Sequence, residues 1–399
     1  MAGRKRKEIR ARDLRGLKYF RALGRLVEHL HEVGCARDRA GNRRLHMDQY
    51  VLLLLLEMFN PVCDSLRSLQ RAGRLAKVQR KLGVPRASLG SLSEAARIFD
   101  SEWLVEVIHA LGRELEPIES GRFREDVGQV VTLVDSTLLT ALPKTASALW
   151  FDPQHKGVKA HVHYELLKGS PTRCRLTDSK GCEKAELANA LEAGRLYVLD
   201  RGYAKYGLMQ SIMEAQSSFL CRIHDYARIA AVEEERPVGR AAAAAGVRRD
   251  AVVRLGSRAS TATALHRPVR IVQLALTEYT TKTRRAIREG RHDGATMLLA
   301  TDRMDLPAEV LATVYRYRWQ IELFFRFFKH VLGCRHLISH CANGIALQVY
   351  AAIIACLLIA LYTGRRPTKA TLEMLSWYLS GWASEAEMRQ HLDRLNNAA

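Results

Sequence analysis

The sequence predicts an α/β fold, and three observations carry that expectation. The first 120 residues follow a helical pattern. A β-branched block opens at Val127, and its short apolar runs end in acids. A second strand-rich stretch interrupts that block before ATMLLATD resumes it at Ala295. Strand runs that end in acids belong to an α/β enzyme rather than to a helical scaffold. At 399 residues the chain has room for two or three domains. The expected division is a helical N-terminal region at 1–120, an α/β unit split between 121–224 and 293–365, a β-rich insertion at 225–292 and a helical tail at 366–399.

Composition narrows the function. Lys and Arg number 62 against 42 Asp and Glu, a formal charge of +20. Such a balance points to a polyanionic partner. Nucleic acid is the default, because cations that neutralise phosphates release condensed counterions; an acidic membrane surface is the competitor. With 48% of residues apolar, a real core can form and wholesale disorder is excluded. The basic N-terminus has no apolar stretch behind it, so no signal peptide is expected. The longest apolar runs, Tyr50–Leu56 and Val349–Tyr362, fall short of the roughly 18 residues that span a bilayer. They read as buried helices, and the chain as a soluble, cytoplasmic protein with no membrane partner. Eight cysteines without a CxxC pair suggest reduced thiols. Cys334, His336, His340 and Cys341 cluster, but their spacing does not match a structural zinc site.

Taken in order, the opening 18 residues hold Arg4, Lys5, Arg6, Lys7, Arg10, Arg12, Arg15 and Lys18 against Glu8 and Asp13. They read either as a phosphate-tracking arm or as a solvated start. Tyr50–Phe59 reads as a buried helix and Ser65–Leu82 as a basic one. Gly83–Pro85 breaks it, and Ser91 or Ser93 would cap the next helix. Helix, break and helix with a basic face resembles a small DNA-reading unit.

From Val127 the run VGQVVTLVDST ends in Asp135. GVKAHVHYEL and TRCRLTD alternate as strands do, Cys182–Leu191 is helical, and RLYVLD ends in Asp200 ahead of RGY. Lys159, His161 and His163 share one side of their strand; that side faces either the chemistry or solvent. Between Asp225 and Arg291 several strands alternate with charged turns, a smaller inserted unit.

The stretch YRYRWQIELFFRFFK, Tyr315 to Lys329, reads as one helix at about 100° per residue. Ile321, Phe324, Phe325, Phe328 and Val331 fill an apolar face. The opposite face carries Glu322 among Arg318, Arg326 and Lys329, with Tyr315. A surface ion-pair ladder is one reading. A metal-holding carboxylate beside phosphate-gripping cations is the other. Asp135, Asp200 and Glu322 together make three oxygen ligands for a hard divalent cation such as Mg²⁺. Each also has an ordinary explanation: a turn acid, a partner of Arg201, a helix salt bridge.

Tyr315, Arg318, Glu322 and Lys329, separated by two, three and six residues, reproduce a signature that resembles the bacterial DDE transposases of the insertion-sequence-four type. VVTLVDST resembles the first acidic motif of that family, LYVLDRGY the second and RYRWQIELFFRFFK the third. The likeness covers roughly residues 60–365. It implies a ribonuclease-H-like mixed sheet flanked by helices and interrupted by a β-rich insertion, consistent with more than a hundred residues between Asp200 and Glu322. It further implies Asp135, Asp200 and Glu322 as ligands of Mg²⁺, with Mn²⁺ as a substitute. Tyr315, Arg318 and Lys329 would grip phosphates, with Arg201, Arg326 and Lys159 as further DNA contacts; Arg201 could instead orient Asp200. The implied activity is cleavage of double-stranded DNA at transposon ends and joining of the 3′-hydroxyl to target DNA, by a homodimer. Relatives often pass through a hairpin that stacks an extruded base on an aromatic. Here no tryptophan falls within 225–292; either Tyr279 or Tyr226 takes that place or the hairpin route differs. A catalytically silent DNA-binding relative and a stand-alone nuclease are the alternatives.

Overall fold

Runs of Val, Ile and Leu bounded by turns become strands. In chain order these are β1 (Val130–Leu139), β2 (Val158–Glu165), β3 (Ser170–Asp178), β4 (Arg195–Leu199), β5 (Ser218–Ile223), β6 (Ile229–Arg236), β7 (Val247–Leu255), β8 (Val269–Ala275) and β9 (Thr296–Thr301). The structure is a computed structural model that describes residues 27–34, 37–38, 41–60, 62–117, 126–139, 158–256, 265–275, 296–332, 339 and 341–397. The basic arm at 1–18, Tyr279, Cys334, His336 and His340 lie outside these residues.

The helices are α1 (Leu30–Val33), α2 (Met47–Phe59), α3 (Leu66–Ala72), α4 (Ala76–Leu82), α5 (Leu89–Ile98), α6 (Glu102–Glu114), α7 (Glu183–Ala188), α8 (Tyr206–Glu214) and α9 (Arg240–Ala244). They continue with α10 (Ala308–Arg316), α11 (Trp319–Leu332), α12 (Ala342–Thr363), α13 (Lys369–Ser380) and α14 (Glu385–Asn397).

Among the described residues the strands form one nine-stranded mixed sheet in the order β3-β2-β1-β4-β5-β9-β8-β7-β6. β1, β4 and β5 run parallel, and the remaining pairs are antiparallel. Residues of β4 from Leu196 to Leu199 are fully buried, as expected of a central parallel strand covered on both faces. On one face, Val131 and Leu133 join a large core with α2, α6, α11 and α12. On the other, Val134, Tyr197 and Leu199 pack with Leu187 of α7 and with Leu208, Met209 and Ile212 of α8. Helix α12 is apolar all round and long enough to cross a bilayer by length and composition, yet 94% of that window is buried inside the fold. It packs against α2, α6, α11 and β3.

Several expectations are corrected. The basic helix at Ser65–Leu82 is two helices, α3 and α4, parted at Gly73–Leu75; Gly73 N–H returns to Leu69 O at 2.9 Å and closes the first. Ser88, not Ser91 or Ser93, caps α5 by accepting from the Ser91 amide. β1 does not stop at Asp135 but continues to Leu139, because β2 pairs with it over that whole length. Among the described residues, the strands of 225–292 extend the same sheet: β8 bonds to β9, which bonds to β5. The helix expected across Tyr315–Lys329 is interrupted at Tyr317–Arg318. There Arg318, Gln320 and Ile321 each donate to the carbonyl three residues back, the tighter pattern of a turn.

Candidate active site

Val134 of β1 pairs with Leu199 of β4, the last rung of that parallel ladder. The next residue on each chain is an acid, so Asp135 and Asp200 emerge side by side. Alternation along β1 turns Val134 toward α7 and α8 and Asp135 toward α11. Helix α11 packs against β1 and carries Glu322 in its first turn. Its apolar face is anchored by Ile321, Phe324, Phe325, Phe327 and Phe328, all buried. Phe324 and Phe328 stack with ring centroids 5.8 Å apart. Truncating such a residue to Ala typically costs about 3–5 kcal/mol, so the carboxylate rides on a firmly seated helix.

Arg318, in the joint between α10 and α11, draws these acids together. Its Nη2 donates to Glu322 Oε1 at 2.7 Å, and its Nη1 lies 3.8 Å from Asp135 Oδ2. Asp200 is a third acid in its field. Burial works against the guanidinium's charge, but Tyr315, Glu322 and Asp200 outweigh it and strengthen its hold on the proton. Asp135 is pushed up to about 6, chiefly by burial. The Ser136 N–H, 2.8 Å away, and Arg318 pull it down, while Asp200 and Glu183 push it up. Tyr315 is buried, 6% exposed. Burial raises that phenol's proton affinity, Arg318 opposes the shift, and Asp200 and Arg222 lie within its field.

Arg222 escapes a sequence reading. It sits in the apolar run SFLCRI of β5, one residue beyond the Leu199–Cys221 pair and therefore level with Asp200. Its Nε is buried without a hydrogen-bond partner among the described residues. A charge inside an otherwise apolar strand was the available signal.

The remaining candidates spread around this centre. Lys329 lies seven residues beyond Glu322 on the same side of α11, partly exposed and without an ion pair among the described residues. Arg326 is exposed and lies over the half-exposed Trp319 ring, 5.6 Å from its centroid. Arg201 is exposed in the turn after Asp200 and forms no ion pair with a described residue, Asp200 included. Lys159 turns inward: its Nζ donates to Gly181 O at 3.2 Å and lies 3.3 Å from Glu183 Oε1. Tyr226 is 82% exposed and stacks on His224. Cys341 caps α12 by accepting from the Gly344 amide.

Three carboxylates suit a hard divalent cation in donor chemistry. Among the described residues, however, no group of three or more His, Cys, Asp or Glu closes to metal-binding distance. Positive charge at this place is supplied by Arg318. Away from the acids, Asp64 and Glu94 bracket a stretch with Arg67, Arg71, Arg74, Lys77, Arg80, Lys81 and Arg86 and no acid. All seven are exposed on α3, α4 and the following loop, and none forms an ion pair with a described residue.

Comparison with known proteins shows which family the chain resembles. The family model of the transposase DDE domain matches residues 127–358. A protein of Sinorhizobium fredii named as a transposase is 30% identical over 238 residues, 59% of this chain and 62% of that protein. One of Geobacillus stearothermophilus, named as the transposase of an insertion sequence element, is 24% identical over 248 residues, 61% of this chain and 60% of that protein. One of Synechocystis, named for insertion sequence element IS4SA, is 35% identical over 77 residues, 19% of this chain and 23% of that protein. The match thus spans about three-fifths of the first two relatives. Among solved structures, a piggyBac transposase synaptic complex with hairpin DNA overlaps 96% of this chain and 84% of that one, at a TM-score of 0.44 and 10% identity, a likeness too distant to carry an assignment.

Proposed function

The chain belongs to the family of transposase DDE domains, and from that membership we propose that it is the Mg²⁺-dependent transposase of an insertion sequence. It binds the terminal inverted repeats, cuts double-stranded DNA at the element ends and joins the 3′-hydroxyl to target DNA. The observation that carries this reading is the convergence of Asp135 and Glu322 on the Arg318 guanidinium, with Asp200 in the same field. The antiparallel β1–β2–β3 unit beside parallel β4 and β5 supports a ribonuclease-H-like reading of this half of the sheet.

Asp135, Asp200 and Glu322 would hold Mg²⁺, or Mn²⁺ in its place. When bound, the metal supplies activation of the attacking water or hydroxyl and stabilisation of the leaving oxygen. The chain's own residues do the rest. Arg318 compensates the acids in the free protein, and a DNA phosphate competes for the same five-donor fork. Engagement of the backbone therefore draws the guanidinium off the carboxylates. Tyr315 and Arg222 flank that phosphate position, while Lys329, Arg326 and Arg201 extend the cationic track from both sides. Lys159 is assigned a supporting role, since its ammonium is spent on Gly181 and Glu183. The seven exposed cations of α3, α4 and the loop after them serve sequence-independent backbone contacts in the helical N-terminal region. Two such chains, one per element end, would form the homodimer that couples the two cuts.

The test is cleavage of a duplex carrying the element's own flanking ends, with Mg²⁺ or Mn²⁺, comparing wild type with Glu322→Gln. Breaks at the end junction that vanish in the variant support the proposal; cutting retained by the variant overturns the site. A second reading, a DNA-binding relative that does not cut, is favoured by one observation, the absence of a closed metal-binding group among the described residues. Tight end binding with no cleavage by wild type would select it.

A further inference from the structure

Glu183 opens α7, on the face of the sheet opposite α11, and none of the roles above uses it. Its Oε1 accepts a hydrogen bond from the Ser136 hydroxyl and lies 3.3 Å from Lys159 Nζ. Ser136 follows Asp135 directly, and its amide N–H donates to Asp135 Oδ1 at 2.8 Å. A continuous chain of polar contacts therefore runs from Lys159 on β2 through Glu183 and Ser136 to Asp135.

The ladder explains why such a tie is needed there. β4 supports β1 only as far as Val134, opposite Leu199. From Asp135 to Leu139, β1 is bonded among the described residues along one edge, to β2. The carboxylate thus projects from the first residue of a half-supported segment, and Glu183 restrains that segment from the α7 face of the sheet by tying Ser136 to Lys159 of β2.

The turn that delivers Glu183 is itself constrained. Lys159 Nζ donates to Gly181 O at 3.2 Å. A Cβ at Gly181 would fall 2.0 Å from Thr177 Oγ1, so only glycine allows the turn to lie this close to β3. Glu183 also stands in the field of the buried Tyr203 phenol, together with Asp135 and Asp200.

We propose that Glu183 is a positioning residue for the cleavage site: holding the Ser136 hydroxyl on one side and Lys159 on the other, it fixes the part of β1 from which Asp135 projects. The inference rests on the reading that Asp135 acts in cleavage. Partners that orient a metal-holding side chain typically contribute about 10–100-fold to metal affinity or activity when removed.

The experiment uses the full chain bound to a duplex carrying the element's ends. It measures Mn²⁺ affinity by electron paramagnetic resonance, single-turnover cleavage against Mn²⁺ concentration, and melting temperature. Glu183→Ala and Ser136→Ala are each expected to weaken Mn²⁺ binding by about 10-fold or more, with end binding and melting temperature unchanged. The double variant should be no worse than either alone, because both remove one tie. Glu183→Asp should recover part of the loss. Ser136→Ala deletes a single hydroxyl and keeps the test decisive if Glu183→Ala fails to fold. Wild-type Mn²⁺ binding and cleavage in both variants, with Asp135→Ala inactive, overturns the inference. Full cleavage by Asp135→Ala overturns the parent reading of the site instead.

Discussion

Arg318 and Glu322 are joined across one turn by a 2.7 Å charge-assisted hydrogen bond, while the other nitrogen of the same guanidinium lies 3.8 Å from Asp135. The acids thus share one counter-charge in the free chain. If a phosphate takes Arg318 away, DNA and metal must assist each other, and linkage makes that assistance reciprocal, typically about 5–150-fold. Arg318→Ala should bind Mn²⁺ without DNA about as tightly as the wild-type–duplex complex does, while losing end affinity. Calorimetric Mn²⁺ titrations with and without duplex check this. Equal Mn²⁺ affinity for the free wild type and the free variant would sink the exchange.

The three acids are predicted to be individually indispensable. Asp135→Ala and Asp200→Ala should each reduce cleavage to background, as Glu322→Gln does, yet leave end binding in a gel-shift assay within about twofold, since phosphates are held by cations elsewhere. Chelation by EDTA should stop cutting without lowering the melting temperature. A sharp fall on chelation would return the Cys334–Cys341 cluster to consideration as a zinc site.

Lys329 lies on the same side of α11 as Glu322, two turns along, with its ammonium unpaired among the described residues. Lys329→Ala should weaken DNA binding uniformly across sequences and reduce the slope of log affinity against log salt by about 0.9, one phosphate contact. An unchanged slope places Lys329 off the DNA.

Glu57 on α2 supplies a pH dependence remote from the chemistry. Burial pushes its carboxyl up to about 8, against a partial pull from the Gln348 amide and a further push from Asp64. One of its oxygens is sealed without a partner among the described residues. Between the ordinary 4.5 and about 8, the folded chain keeps a proton that the unfolded chain releases. Stability from this group therefore falls as pH rises through that window and levels off above it. Glu57→Gln should flatten the decline and melt higher than wild type above about pH 8. Parallel melting curves for the two proteins across the window would refute the assignment.

Much of this was legible in the sequence. Acids that follow buried strand runs nominated Asp135 and Asp200, and the spaced quartet from Tyr315 to Lys329 nominated the helix. Strand direction was not legible. ATMLLATD also ends in an acid, but β9 runs antiparallel to β5, so Asp302 emerges at the far end of the sheet. There it accepts the Phe219 N–H at 2.8 Å. Arg222 and Glu183 gain their meaning from neighbours far away in the chain, which no periodicity encodes. The turn at Tyr317–Arg318 was missed because helical angle arithmetic assumes an unbroken helix.

The edgewise attachment of β6, β7 and β8 has a consequence for how such a chain can change length. Because β9 returns beside β5, residues between them can be gained or lost outward, one strand at a time, while β1, β4 and β5 keep their places. The joint between α10 and α11 has no such slack. One residue more or fewer between Arg318 and Glu322 would swing the carboxylate about 100° around its helix. Insertions and deletions should therefore be tolerated at one margin of the sheet and not at the joint that leads into α11.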